Sequence, residues 1–447
     1  MAALLAAFET GTPDAIRAFV QANFAASSQK EVPLEQRVGR LGGMAKEVGP
    51  LQFDGVLKGE APEVSFLARS KKSGEWIEVG MRLEPAPPFG IMGLRFENSE
   101  GPGAEVATPL GTDAAVAAKA GETLRALSEK GAFSGVVLLA RNGTPFFFEA
   151  CGSADRDFGV PNRKDTKFNL GSINKIFTQA AIAQLAAAGK LSLSDTIRRH
   201  LPDYPNPAAD RITIQELVTM SSGLGDIFGK KYDATPKARL RTLADFLSLF
   251  ADEPLLFEPG TSRRYSNAGY VVLGLIIERA SGQGYHDYVR EHLFRPAGMK
   301  DTDAYAQDSI VPNRAVGYTR EAEGDAPSRP DAPLHVNIYA LPAVSSSAGG
   351  GYSTAADLLA FDQAMRANRL LSPEWTDWFY SDKTHPPSPD APARKRGGGF
   401  GFAGGTAGVN AVLECDLDTG ATVVVLSNLD PPSAESLARK LRGWMGL

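Results

Sequence analysis

A chain of 447 residues with 43% hydrophobic and 22% charged residues has the composition of an ordinary globular protein, and it is long enough for two or three domains. A net charge of -5 argues against a nucleic-acid partner, and the dense cationic triplet Arg394-Lys395-Arg396 reads as a solvated loop. Cys151 and Cys415 form neither a metal spacing nor a disulfide framework, so both read as free thiols in or beside strands, and no metal or cofactor is expected.

The first residues, Met1-Ala2-Ala3-Leu4-Leu5-Ala6-Ala7-Phe8-Glu9, lack a positive n-region and an adequate apolar run. No signal peptide is therefore expected in this chain, and a periplasmic or secreted location would imply one already trimmed. No stretch reaches the length of a membrane span. Residues 13–24 and 34–48 have helical spacing, with Thr12 as a cap before Pro13. Alternation follows at 51–57, 63–68, 76–83 and 91–96, broken by Gly, Pro and Lys-Ser-Gly turns. This predicts a small α+β domain over 1–97. Helices followed by strands, the last being Gly90-Ile91-Met92-Gly93-Leu94-Arg95-Phe96, resemble the NTF2-like or cystatin-like domains. No ionisable constellation stands there, so a structural or docking role is expected.

Residues 98–111, rich in Gly, Pro, Glu and Ala, read as a linker. Beyond it, 113–131 is helical, and the apolar runs 133–141 and 144–150 flank Asn142-Gly143, a strong hairpin signal. From Ser172 to Leu185 the apolar positions are too dense for a surface stripe, which predicts an enclosed helix. The middle of the chain, from Ile214 to about Gln363, reads as mostly helical with irregular loops. His286 and His292 lie there among charged neighbours and read as solvated-face histidines without metal-ligand spacing. A second hairpin around Asp418-Thr419-Gly420 joins 410–417 to 421–428, and 431–444 is a last helix. Strands at both ends of a helical segment predict one sheet closed by non-local pairing, with terminal helices over it and a helical lobe inserted.

Ser172 and Lys175 are three residues apart, hence on one face of a turn, where the amine reaches the hydroxyl directly. Gly171 permits close backbone approach, and a helix start offers unpaired N–H groups to an oxyanion. Two readings stand at this point: a serine nucleophile with a lysine base, or an N-cap serine followed by a snorkelling lysine. A second match, Ser27-Ser28-Gln29-Lys30, follows an amphipathic segment and reads as a solvated helix end.

Tyr265-Ser266-Asn267 follows a Pro259-Gly260 turn and precedes an apolar helix over 270–280. With Ser172-x-x-Lys175 it resembles the serine β-lactamase and penicillin-binding-protein superfamily, in the class C-like branch that includes family VIII-type carboxylesterases. Leu191-Ser192-Leu193-Ser194-Asp195, Ser222-Gly223-Leu224, the stretch from Leu293 to Thr302 and Ser347-Ala348-Gly349-Gly350 carry the same match over 112–447. Tyr204-Pro205-Asn206 also spells Y-x-N but lies in a proline-rich loop. The resemblance implies a β-lactamase-like domain with a five-stranded antiparallel sheet and a helical lobe. It implies acyl transfer in which Ser172 attacks a carbonyl, Lys175 and Tyr265 share its proton, and Asn267 orients substrate and lysine. It further implies that Phe402, Ala403 and Gly404 stand where the family carries a cation, a hydroxyl and a glycine. The Gly405 N–H would then join that of Ser172 in an oxyanion hole. With Phe402 in place of a cation, small or medium neutral esters are the expected substrates. A β-lactamase, a D-amino-acid peptidase, an amidase or an idle binding protein of this fold are the alternatives.

Overall fold

The computed structural model describes the chain apart from residues 32–33, 73, 75, 100, 103–106, 321–331, 384–386 and 388–397. The triplet Arg394-Lys395-Arg396 and part of the 98–111 linker lie outside the described residues. Contacts divide the chain into two units, Met1–Val106 and Ala107–Leu447.

The first unit begins with four helices, α1 (Ala2–Thr10), α2 (Pro13–Asn23), α3 (Ala26–Glu31) and α4 (Leu34–Val48). Thr12 caps α2 by accepting from the amide of Ala15, and Pro13 occupies the first turn, where its missing N–H costs nothing. Four strands follow, β1 (Leu51–Glu60), β2 (Glu63–Ser70), β3 (Trp76–Leu83) and β4 (Ile91–Ser99), in an antiparallel sheet of order β1-β2-β3-β4. Phe66, Ala68, Ile77 and Val79 join Leu4, Phe8, Ile16 and Val20 in one core. Helix α1 was not anticipated from the sequence; its buried Leu4, Ala7 and Phe8 make it part of that core. Ser27 is exposed on α3, its hydroxyl facing Glu84 and Met92, while the Lys30 side chain of this second S-x-x-K match lies outside the described residues.

In the second unit α5 (Asp113–Glu129) precedes the hairpin β5 (Gly135–Arg141) and β6 (Thr144–Cys151). Asn142 adopts φ 50°, which Asn tolerates in a tight primed turn. Two long buried helices follow, α6 (Lys175–Ala187) and α7 (Asn267–Ser281), and then β7 (Gly399–Thr406), β8 (Val409–Asp416), β9 (Ala421–Ser427) and α8 (Ser433–Met445). The five strands form an antiparallel sheet of order β7-β8-β9-β5-β6, so the two ends of the unit meet at β9 and β5, where Ala421 faces Arg141 and Ser427 faces Gly135. Both faces of the sheet are covered. Val137, Leu139, Val423 and Val425 pack with Val116 and Leu441 of α5 and α8, while Val136, Leu138, Val424 and Leu426 join the core of the helical lobe. Covering both faces is why β5 and β9 read as unbroken apolar runs rather than alternating ones.

Cys415 is buried in β8 and Cys151 ends β6, both free. The solvated reading of the two histidines is corrected. Both are partly buried: His286 packs edge-on against Tyr285 and bonds the carbonyl of Ser345 at 3.1 Å, and His292 lies 4.4 Å from the Tyr288 ring. Each ring also has a hydrogen-bond partner away from its flanking charges, the Ser345 carbonyl for His286 and the Gln283 Oε1 at 3.2 Å for His292.

Candidate active site

The segment read as one helix from Ser172 is two pieces. Residues Gly171–Asn174 form a 3-10 turn, and α6 starts at Lys175. Gly171 takes φ 49°, and a Cβ there would lie 3.0 Å from the amide nitrogen of Gly405. A Cβ on Gly404 would come within 2.0 Å of the Leu170 carbonyl and 2.7 Å of the Ser172 amide nitrogen. Only glycine at both places lets β7 press against the turn. The amides of Ser172 and Gly405 are thereby brought to one junction.

Ser172 is half-buried and its hydroxyl caps nothing. Its Oγ accepts from the Tyr265 hydroxyl at 2.5 Å and meets Lys175 Nζ at 3.2 Å. Lys175 is 0% exposed, so its amine ends inside the protein and the snorkelling reading is excluded. Its other two hydrogen bonds go to the Oδ1 of Asn267 at 2.7 Å and the carbonyl of Ala348 at 2.5 Å. Both of those oxygens are acceptors only, so each takes one N–H. The remaining position faces Ser172, whose hydroxyl can donate or accept.

Burial pulls the Lys175 amine down to about 7, and the charge of Asp226 partly opposes that fall. A neutral amine keeps its two N–H donors on Asn267 and Ala348 and turns its lone pair to Ser172, which can then give up a proton. Tyr265, with 48% of its surface exposed, is raised above an ordinary phenol by burial of the site, an effect that its bond to Ser172 opposes. Of the two bases the amine is thus the one ready near neutral pH.

Each of these groups is set by local folding. Ser266 caps α7, accepting from the Gly269 amide and donating to the Gly225 carbonyl, which fixes Tyr265 before the helix and Asn267 in its first turn. Gly274 on α7 leaves room for Ser347, since a Cβ there would meet the Ser347 Oγ at 2.2 Å. The Ser347 hydroxyl bonds the Tyr270 carbonyl at 2.8 Å, and the next carbonyl, that of Ala348, falls on Lys175.

Asp226 escaped the sequence reading. It accepts two bonds from the Asn267 Nδ2, at 2.9 and 3.1 Å, and because a carboxylate only accepts, it forces the Asn267 Oδ1 toward Lys175. Its one sequence signal is its place two residues past Ser222-Gly223-Leu224. Phe402 shares a face of β7 with Phe400 and Gly404, packs against the lobe core and lies tilted at 46° to the Phe400 ring, 5.8 Å between centroids. Tyr204 is buried in its loop and Asn206 caps a turn there, so that Y-x-N match belongs to no site.

The family described as Beta-lactamase matches residues 120–443. A penicillin-binding protein of Bacillus subtilis is 29% identical over 327 residues, covering 68% of this chain and 69% of that relative. Esterase EstB of Burkholderia gladioli is 33% identical over 307 residues, covering 62% of this chain and 76% of EstB. Among solved structures, a penicillin-binding protein from Bacillus halodurans superposes with a TM-score of 0.60 at 29% identity, covering 70% of this chain and 97% of that one. With the family matching over most of its length and the sheet and helical lobe in place, the chain belongs to the β-lactamase family, the serine hydrolases of the β-lactamase and penicillin-binding-protein superfamily.

Proposed function

We propose that this protein is an esterase that forms an acyl-enzyme on Ser172 and acts on small or medium neutral esters. The observation that carries the reading is the buried Lys175 amine, held by two acceptor-only oxygens with its third direction on the Ser172 hydroxyl. In this scheme Lys175 takes the proton as Ser172 Oγ bonds the ester carbonyl carbon. The oxyanion is held by the N–H groups of Ser172 and Gly405. Tyr265 protonates the departing alkoxide and, in the second half-reaction, helps draw a proton from water as it attacks the acyl-enzyme. Asn267 is the positioning residue for Lys175, and Asp226 for Asn267. Similarity to an esterase supports the substrate class, as does Phe402, an uncharged ring where the family resemblance expects a cation.

For the first unit, four helices followed by an antiparallel meander support an NTF2-like or cystatin-like reading with a structural or docking role.

The test is incubation with a fluorophosphonate and with an activated short-chain ester, read by intact mass and by turnover. The wild type and Ser27→Ala should label once and hydrolyse the ester, while Ser172→Ala should do neither. Labelling of Ser172→Ala would overturn the nucleophile, and labelling of the wild type without turnover of any ester would overturn the esterase.

A further inference from the structure

A cavity of about 610 Å³ opens on the helical lobe between the 233–238 turn and the segment carrying Ile338, Tyr339 and Leu341. A chain of contacts joins it to the catalytic residues. Asp226, which holds Asn267, accepts from the amide of Phe228 at 3.2 Å. The Phe228 ring meets that of Tyr232 edge-on at 4.9 Å. Tyr232 in turn donates to the Ala340 carbonyl at 2.9 Å and lies under the Lys237 amine at 4.0 Å, within the cavity wall.

Tyr232 is buried within this chain of contacts, and large apolar side chains stand exposed near its two ends. Leu256 stands beside Gly225 with 49% of its surface exposed, Phe228 has 53% exposed and Tyr339 has 80%. Single exposed apolar residues need no explanation, but large ones beside the Asp226 segment and again at the cavity mark the two ends that one bound apolar arm would join.

The charges of the cavity identify its ligand by what they leave over. Arg241 is paired with Asp308 at 2.7 Å. Lys237 has Asp233 as its opposing charge and spends its amine on the carbonyls of Tyr232 at 2.5 Å and Thr235 at 3.1 Å. Two cations face two anions, so a charged ligand would find no counter-charge, whereas the apolar walls reward a neutral one.

We propose that this cavity is a distal subsite that takes the far end of a neutral alkyl or aryl arm of the ester, passing over Phe228. The proposal rests on the esterase reading above and extends its substrates toward longer arms.

The test compares p-nitrophenyl alkanoates of rising acyl length, and alkyl acetates of rising alcohol length, on the wild type, Ala238→Trp and Tyr339→Ser. Ala238 is an exposed lining residue, so the indole fills the cavity rather than the core, and Tyr339→Ser removes apolar wall without touching buried packing. In one of the two series kcat/KM should climb about threefold to fourfold per methylene once the arm reaches the cavity. That climb should flatten in both variants, while p-nitrophenyl acetate is hydrolysed within about twofold of the wild type. No climb in either series, or a climb equal in the wild type and both variants, would overturn the subsite. If no ester is hydrolysed, the esterase reading fails, and calorimetry with 4-phenylbutanol tests the cavity by itself. Binding weakened about tenfold or more in Ala238→Trp upholds it; absent or unchanged binding overturns it.

Discussion

Lys175 shows how one burial decides a residue's chemistry. An amine that ordinarily keeps its proton far above neutrality is enclosed by α6, α7 and the Ala348 loop, and its proton affinity falls to about 7. Proton acceptance needs the neutral form, so below about pH 7 the kcat/KM for a neutral ester should rise about tenfold per pH unit and level off above it. Asp226 holds that affinity up, and Asp226→Asn should therefore move the midpoint to lower pH. The same change frees the Asn267 amide to turn, which should lower the plateau by up to about 100-fold. A pH–rate profile of the variant reads both, and a midpoint that stays put or rises would refute the role given to Asp226. Phe402 is the residue that sets substrate charge in our reading. Phe402→His should raise turnover of carboxylate-bearing substrates relative to neutral esters, checked by paired kcat/KM values. If the unmodified protein instead prefers a cephalosporin over every neutral ester of similar size, Phe402 does not set the substrate class.

At the scale of elements, the junction between β7 and the 3-10 turn matters most. The turn precedes α6 rather than being its first helical turn, because Gly171 in a left-handed conformation steers the chain against β7 before α6 begins. Gly404→Ala puts a methyl group into the Leu170 carbonyl, so the strand and turn must separate. The expected loss is about 1–3 kcal/mol, read from the urea midpoint, together with slower fluorophosphonate labelling as the two junction amides move apart. Unchanged stability with unchanged labelling would show that the junction has slack. Helix α7 serves a parallel purpose: its cap at Ser266 and its gap at Gly274 place Tyr265, Asn267 and the Ala348 carbonyl around one amine.

At the scale of the molecule, each unit holds its own core, and the boundary at 106 and 107 sits close to a packed contact. Ala107 packs against Gly443 and the Leu110 amide bonds the Trp444 carbonyl at 2.9 Å, so these residues belong with α8 rather than with a free linker. A chain beginning at Ala107 should fold and retain a reactive Ser172, whereas one beginning past Leu110 should lose stability as the end of α8 is uncovered. Intact-mass labelling with fluorophosphonate and thermal melts decide this. An insoluble or unreactive 107–447 fragment would mean that the first unit completes the core or the site.

What the sequence determined by itself was local. Ser172 and Lys175 sit within one turn, Asn142-Gly143 closes its hairpin through its own backbone preferences, and the density of apolar residues marks α6 and α7 as enclosed. Strand β7 was legible only through family resemblance, because its run Gly399–Thr406 contains four glycines and shows little alternation. Tertiary structure decided the rest of the site. The Asn267 oxygen and the Ala348 carbonyl reach Lys175 across 92 and 173 residues, and Asp226 reaches Asn267 across 41. Hydrogen-bond partners at such separations follow from how helices and loops pack, not from any local spacing. The lowered proton affinity of Lys175 exists only once that packing has removed water from around the amine.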